Sequence, residues 1–213
     1  MKKIITFLMA LCVLLPATFA QNSKALEKAI KKEYKMKMKE FKKGGWTLYG
    51  STRSLEVVLL MHYEKLNKTG EDNYELMGGC SQFKSKNVGH QTCINNAANI
   101  YALQATRTLK GRVLSDMASN ADDATAEFDR FYAAYESLVQ KEINGELQES
   151  FTVIRENKDG TFEMQAFFIV SESAATRARI RAYENAAKES EAAQKYAEKV
   201  SAFVQEGFEP TAE

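Results

Sequence analysis

Apolar positions recur at two different periods along the chain, and the change of period divides it into helices and strands. In residues 23–43 an apolar side chain returns every third or fourth position, at Leu26, Ile30, Tyr34, Met38 and Phe41. That period predicts an amphipathic helix with a narrow apolar stripe. Gly44-Gly45 is expected to end the helix, and the aromatic run Trp46–Tyr49 predicts a short strand.

A second helix and a second strand follow. Ser54 is a candidate N-cap, because residues after it return to helical spacing, at Leu55, Val58, Leu59, His62 and Leu66. Tyr74 to Phe83 predicts a strand, and Gly78-Gly79 within it predicts a bulge.

Two helices occupy the middle of the chain. An alanine-rich stripe from Gly89 to Ala118 predicts a long helix, which Gly111 is expected to kink or end. Asp122–Thr125 offers an N-cap for the next helix. That helix has a regular aromatic and aliphatic stripe at Phe128, Phe131, Tyr132, Tyr135, Leu138, Val139 and Ile143.

The last third predicts a hairpin and a helix. Alternating residues from Phe151 to Val170 flank the turn Asn157–Gly160, and Phe167 and Ile169 indicate that both sheet faces are covered there. One helix is predicted from Ala174 to Phe203. The order α-β-α-β-α-α-β-β-α indicates the α+β class, a small mixed four-stranded sheet with long helices on one face. Residues 44–213 are expected to form a single domain.

The first twenty residues have the pattern of a secretory signal peptide. Lys2 and Lys3 precede an apolar run from Ile4 to Leu15, and small residues lead to Ala20. The run is shorter than the roughly 20 residues of a membrane-spanning helix. We therefore expect cleavage after Ala20 and export to the periplasm, the outer-membrane region or the medium. Leu11 stands where a lipoprotein signal needs a small residue before Cys12, so lipid attachment is not expected.

Charge is unevenly distributed. Residues 21–43 contain nine lysines and three glutamates, so this basic amphipathic arm has a formal net charge of +6. The rest of the chain after the predicted signal peptide, residues 44–213, has a formal net charge of −7. In an exported protein the arm could bind an anionic membrane surface. Alternatively, its stripe packs on the body and its lysines are only solvated. The near-neutral total gives no reason to expect nucleic acid as a partner. The candidate residues for binding an anionic membrane surface are Lys24, Lys28, Lys31, Lys32, Lys35, Lys39, Lys42 and Lys43.

Cys80 and Cys93 are the two cysteines after the predicted cleavage site. In an exported chain such a pair predicts a disulfide. Two free buried thiols are an alternative, as is a metal site formed with His90 and His62. Because the spacing matches no zinc module, we expect neither a metal nor a cofactor.

No catalytic motif is present in the sequence. Phosphate loops, nucleophile elbows and paired-histidine zinc motifs are lacking. His62 is interpreted as a core or boundary histidine and His90 as an exposed one. The run from Arg177 to Arg181 is either an anion patch or a set of solvated charges beside an alanine stripe. The sequence therefore predicts no catalytic residue.

Three segments together resemble a known family. They are Asn95-Asn96-Ala97-Ala98 at the start of an alanine-rich helix, the hairpin Thr161–Val170, and Ala178-Arg179-Ile180-Arg181-Ala182. Over about residues 85–205 the chain resembles the Lpp-twenty-like bacterial envelope lipoproteins and related exported proteins of unassigned role. The resemblance implies an envelope location and no catalytic residues. Unlike those lipoproteins, this chain lacks a usable lipid-attachment motif.

These observations predict a non-enzymatic exported envelope protein that binds another envelope protein, itself or an anionic membrane surface. The alternative is a periplasmic small-ligand-binding module, with a cavity lined partly by Tyr101, Tyr132 or Tyr135. A hydrolase is the third hypothesis.

Overall fold

The chain forms ten helices and strands within the residues that the structure describes. The computed structural model describes residues 23–68, 71–117, 125–188, 190, 193–194 and 197–206. The predicted signal peptide at residues 1–20 and most of the predicted cap at residues 122–125 lie outside them. The elements are α1 (Ser23–Gly44), β1 (Thr47–Tyr49), α2 (Leu55–Leu66), β2 (Asn73–Phe83), α3 (Lys86–Met117), α4 (Thr125–Asn144), β3 (Gln148–Glu156), β4 (Phe162–Ser171), α5 (Glu172–Ala187) and α6 (Ala197–Glu206).

The α+β class is confirmed, and the sheet has the predicted four strands. Their order is β1-β3-β4-β2, and each neighbouring pair is antiparallel. The expected mixed sheet is therefore wrong. A parallel pair needs a crossover between its strands, usually a helix. In this sheet β3 and β4 are joined by the predicted turn, in which Asn157 N donates to Thr161 O at 2.7 Å.

Helices cover both faces of the sheet, although the order of elements predicted helices on one face. Helices α3 to α6 pack over one face, around Leu76, Tyr101 and Phe168. Helices α1 and α2 pack on the other, around Phe41 and Phe167. Neighbouring residues in a strand face opposite sides of the sheet, and Phe167 and Phe168 are both buried. This confirms the prediction that both sheet faces are covered near this point.

Gly78 marks a close approach between strand β2 and helix α3, and the bulge predicted there is wrong. Pairing with β4 continues from Asn73 to Cys80, and the irregularity lies between Cys80 and Phe83. A Cβ atom on Gly78 would lie 1.8 Å from the carbonyl oxygen of Cys93. Glycine is thus needed here because the two backbones touch.

Helix α3 spans Lys86–Met117, close to the range predicted for it, and it continues through Gly111 instead of ending there. The last predicted helix differs from the structure. The single helix predicted from Ala174 to Phe203 is wrong, since α5 ends at Ala187 and α6 begins at Ala197. Between them the hydroxyl of buried Ser190 accepts a hydrogen bond from Ala193 N at 3.1 Å, which is the geometry of a helix cap.

Candidate functional site

Seven lysines of α1 lie on one side of the helix, and Lys37 lies outside it. At 3.6 residues per turn they occupy roughly one third of its circumference and about 22 Å of its length. The three glutamates of α1, Glu27, Glu33 and Glu40, fall outside that sector. We call this sector the lysine face, and its members are Lys28, Lys31, Lys32, Lys35, Lys39, Lys42 and Lys43. Lys24 also lies in α1, but its side chain lies outside the described part of the chain.

The lysine face is exposed, and in the described part of the chain none of its seven lysines forms an ion pair. All seven side chains are exposed. Among the residues that the structure describes, the ion pair formed within α1 is Lys37–Glu40 at 3.6 Å, and Lys37 is not part of the lysine face. Lys37 instead lies over the rings of Phe41 and Phe167, at 5.3 and 5.2 Å. The lysine face therefore presents a net positive surface to solvent.

The apolar stripe of α1 is packed against the sheet. Phe41 is fully buried and makes edge-to-face contacts with Phe151 and Phe167, with ring centroids 6.1 and 5.9 Å apart. Met38 is buried in the same cluster, which Ile30 and Tyr34 border. The C-terminal half of α1 is thus fixed to the body, and its orientation holds the lysine face outward.

A shallow groove separates α1 from α2. It has a volume of about 610 Å³ and is lined by Tyr34, Lys35, Met38, Lys39, Lys42, Lys43 and Glu56. Partial burial and the neighbouring Glu56 carboxylate raise the pKa of Tyr34. Four of the seven lysines of the lysine face thus line this groove, together with the apolar side chains of Tyr34 and Met38 and the carboxylate of Glu56.

Cys80 and Cys93 are close neighbours but are free thiols in the structure, so the predicted disulfide is not formed there. Cys93 is fully buried, and its Sγ lies 3.5 Å from the carbonyl oxygen of Met164. Burial, and secondarily the nearby Cys80, raise the pKa of the Cys93 thiol to about 12. Of the alternative of two free buried thiols, the structure has Cys93 as a neutral core residue, whereas Cys80 is free but only half-buried.

His62 is a buried residue between α2 and the sheet. Its Nδ1 lies 2.9 Å from Ser150 Oγ, and its Nε2 lies 2.7 Å from Glu75 Oε2. The second contact is not aligned as a hydrogen bond. A hydroxyl, an imidazole and a carboxylate in this order could in principle activate a nucleophile. Because His62 is only 1% exposed and poorly aligned with Glu75, the geometry fits the predicted core histidine better.

His90 lies on the opposite side of the sheet from His62. Its Nε2 is 2.9 Å from Glu149 Oε2, and its ring contacts that of Tyr49 at 5.6 Å. His90 belongs to α3 and is half-buried, so the exposed position expected for it is wrong. Within the described ranges, no three His, Cys, Asp or Glu residues are grouped so that they could hold a metal ion. The alternative set of His62, Cys80, His90 and Cys93 is therefore not brought together.

The arginine run of α5 is neutralised by neighbouring groups. Arg179 is 2% exposed and donates to Glu172 Oε1 and Tyr101 Oη, each at 2.6 Å. Arg181 donates to Glu142 and Glu146 at 2.6 and 2.8 Å. The sequence allowed two interpretations of this run, an anion-binding patch or a set of solvated charges, and neither fits Arg179, because it is buried. Its place beside the alanine stripe of α5 was the signal that it could be buried.

No family model, curated protein or solved structure matches this chain. In the described part of the chain, no helix is long and apolar enough to cross a membrane.

Proposed function

We propose that this protein is a non-enzymatic, exported envelope protein that binds anionic membrane surfaces through the lysine face of α1. The observation that carries the proposal is the segregation of charge on that helix. Seven exposed lysines share one side of a helix whose C-terminal half is fixed to the body through Met38 and Phe41. Such a surface can approach phosphate groups with many lysines at once, without unfolding or rearranging the body.

The strength of this attraction follows from the number of lysines that reach the surface. Each lysine near an anionic bilayer contributes at most about 1 kcal/mol, and salt screens the interaction within a Debye length of about 10 Å at 0.1 M. Insertion of the α1 stripe itself is not part of the proposal, because Met38 and Phe41 are buried against the body. Binding is therefore electrostatic, reversible and sensitive to salt.

The alternative of a small-ligand module receives less support from the packing. Tyr101, Tyr132 and Tyr135, the residues expected to line a cavity, are at most 6% exposed. Tyr132 and Tyr135 are stacked on Phe128 and Phe131, with ring centroids 5.8 and 6.0 Å apart. These aromatic side chains fill the space between helices, so a surface site fits the molecule better than a core cavity.

Sedimentation with lipid vesicles tests the proposal. The chain beginning at Gln21, without the predicted signal, is mixed with phosphatidylglycerol or phosphatidylcholine vesicles. One variant replaces Lys35, Lys39, Lys42 and Lys43 by Gln. A matched control with the same change in charge replaces Lys84, Lys141, Lys158 and Lys188, which are exposed elsewhere in the chain.

We expect the unmodified chain to pellet with phosphatidylglycerol and not with phosphatidylcholine. At about 1 kcal/mol per lysine near the surface, the α1 variant loses roughly tenfold or more in partitioning, and the control loses much less. Equal losses in the two variants, or binding that persists in molar salt, would reject the proposed function.

A further inference from the structure

Helix α2 carries an exposed apolar surface. Val57, Leu60 and Met61 are 45, 52 and 47% exposed, and their spacing of three and four residues places them on one side of the helix. The opposite side of α2 packs on the sheet through buried Leu59 and His62. We call Val57, Leu60 and Met61 the apolar patch. Because the opposite side of α2 makes its main core contacts, about half of the surface of each of these three side chains is left open to solvent.

The apolar patch borders the basic groove. Glu56 lines that groove with four lysines of α1, and Leu60 lies one turn further along the same side of α2. Tyr34 of α1 and Tyr63 of α2 contact each other across the junction, with ring centroids 6.5 Å apart. Both helices cover the same sheet face, so the lysine face of α1 and the apolar patch of α2 belong to one layer, with Glu56 at the groove that separates the helices.

Arg53, a cation outside α1, contacts the apolar patch at Met61. Arg53 Nη1 lies 2.6 Å from the sulfur of Met61. Glu64, one turn beyond Leu60, limits the patch at the C-terminal side. The patch thus contacts Arg53, with Glu56 and Glu64 beside it and the groove lysines of α1 beyond Glu56. Exposed apolar residues with cations close by match the boundary of an anionic bilayer, where phosphates lie above acyl chains.

We propose that the apolar patch of α2 inserts into the head-group boundary of an anionic bilayer while the lysine face of α1 contacts the phosphates. This inference rests on the proposed function. It adds the orientation of the protein on the bilayer and the depth to which the apolar patch enters it. Charge complementarity selects the occupant, because Arg53 beside Met61 and the four lysines that line the groove with Glu56 favour phosphate groups.

Tryptophan fluorescence with brominated lipids tests the insertion. Leu60→Trp places the probe in the apolar patch. Leu114→Trp is the matched control, because Leu114 is 51% exposed, close to the 52% of Leu60, and lies on α3 over the other sheet face. Both variants retain Trp46, which packs against Arg155 at 4.7 Å and supplies the same background.

With anionic vesicles we expect Leu60→Trp to shift its emission to the blue and to be quenched by brominated acyl chains at least twofold more than the Leu114→Trp control. Equal quenching of the two variants, with salt-sensitive pelleting retained, would overturn insertion and leave the proposed function standing. Blue-shifted emission of Leu60→Trp without vesicles, together with a dimer in analytical ultracentrifugation, would assign the patch to a second copy and overturn the inference. If neither variant nor the unmodified chain pellets, both this inference and the proposed function are wrong.

Discussion

At the scale of single residues, backbone contact between Gly78 and Cys93 determines how closely α3 packs on the sheet. The position leaves no room for a methyl group, because the nearest atom is a backbone oxygen that cannot rotate away. Sequence reasoning identified a special glycine here but interpreted it as a bulge. A close approach involves a partner distant in sequence, and the local pattern of one strand contains no information about that partner.

Gly78→Ala is expected to destabilise the fold by about 2 kcal/mol or more, as overpacked core positions do. Gly111→Ala is the matched control, because a Cβ there has nothing within 4 Å and alanine favours the interior of a helix by about 1 kcal/mol. Urea unfolding of both variants gives the free energies. A Gly78→Ala protein as stable as the unmodified chain would show that α3 does not pack this closely.

Cys93 is expected to make the fold less stable at alkaline pH. Burial raises the pKa of its thiol from 9.0 to about 12. Between these values the unfolded chain loses the proton and the folded chain keeps it, so the free energy of unfolding falls as pH rises. Burial also raises the pKa of Tyr74, Tyr101 and Tyr135, which extends the fall above pH 10.

Urea unfolding in reductant at about pH 8 and about pH 9.5 measures this dependence. In Cys93→Ala the loss of stability between these two pH values should be smaller than in the unmodified chain. An identical loss in the two proteins would mean that the Cys93 thiol is not held neutral by burial.

At the scale of elements, the buried guanidinium of Arg179 joins three helices. From α5 it donates to Tyr101 of α3 and, at 3.1 Å, to the carbonyl oxygen of Val204 in α6. Burial lowers the pKa of Arg179, but Tyr101 and Glu172 outweigh that effect and raise it overall. The guanidinium therefore stays charged and holds α6 against the body.

Arg179→Met should destabilise the protein by about 3–5 kcal/mol, because it leaves buried polar groups without their donor. Arg177→Met is the control on the same helix. Arg177 is 58% exposed and lies 3.8 Å from Glu146, so its loss should change stability by no more than about 0.5 kcal/mol. Equal effects of the two substitutions in thermal or urea unfolding would contradict the role given to Arg179.

Local signals predicted most elements, and long-range contacts account for the errors. Ser54 was predicted as an N-cap, and its side chain accepts from Val57 N. The turn Asn157–Gly160 was also predicted, and Gly160 has a φ of 76°. The break between α5 and α6 was missed because the alanine spacing continues through it. The break forms where Ser190 offers a cap and where Arg179 holds the returning helix.

At the scale of the whole molecule, charge and packing are arranged in layers. Helices α3 to α6 form an interior of aromatic and alanine side chains over one sheet face, while α1 and α2 form a thinner layer over the other. The lysine face and the apolar patch both lie on that thinner layer. The excess of lysine in α1 is visible in the sequence, and the structure places seven of these side chains on one exposed side of the helix. The apolar patch was not predicted, because apolar residues occur on every side of α2 and their pattern does not show which of them stay exposed.

The central claim is that this layer meets an anionic surface, and lysine footprinting tests it on the unmodified chain. Acetylation by a water-soluble reagent is followed by mass spectrometry, with and without phosphatidylglycerol vesicles. We expect vesicles to protect the lysine face, Lys28 to Lys43 without Lys37, and to leave Lys84, Lys141, Lys158 and Lys188 as reactive as before. Uniform reactivity, or protection of those four control lysines instead, would contradict the account.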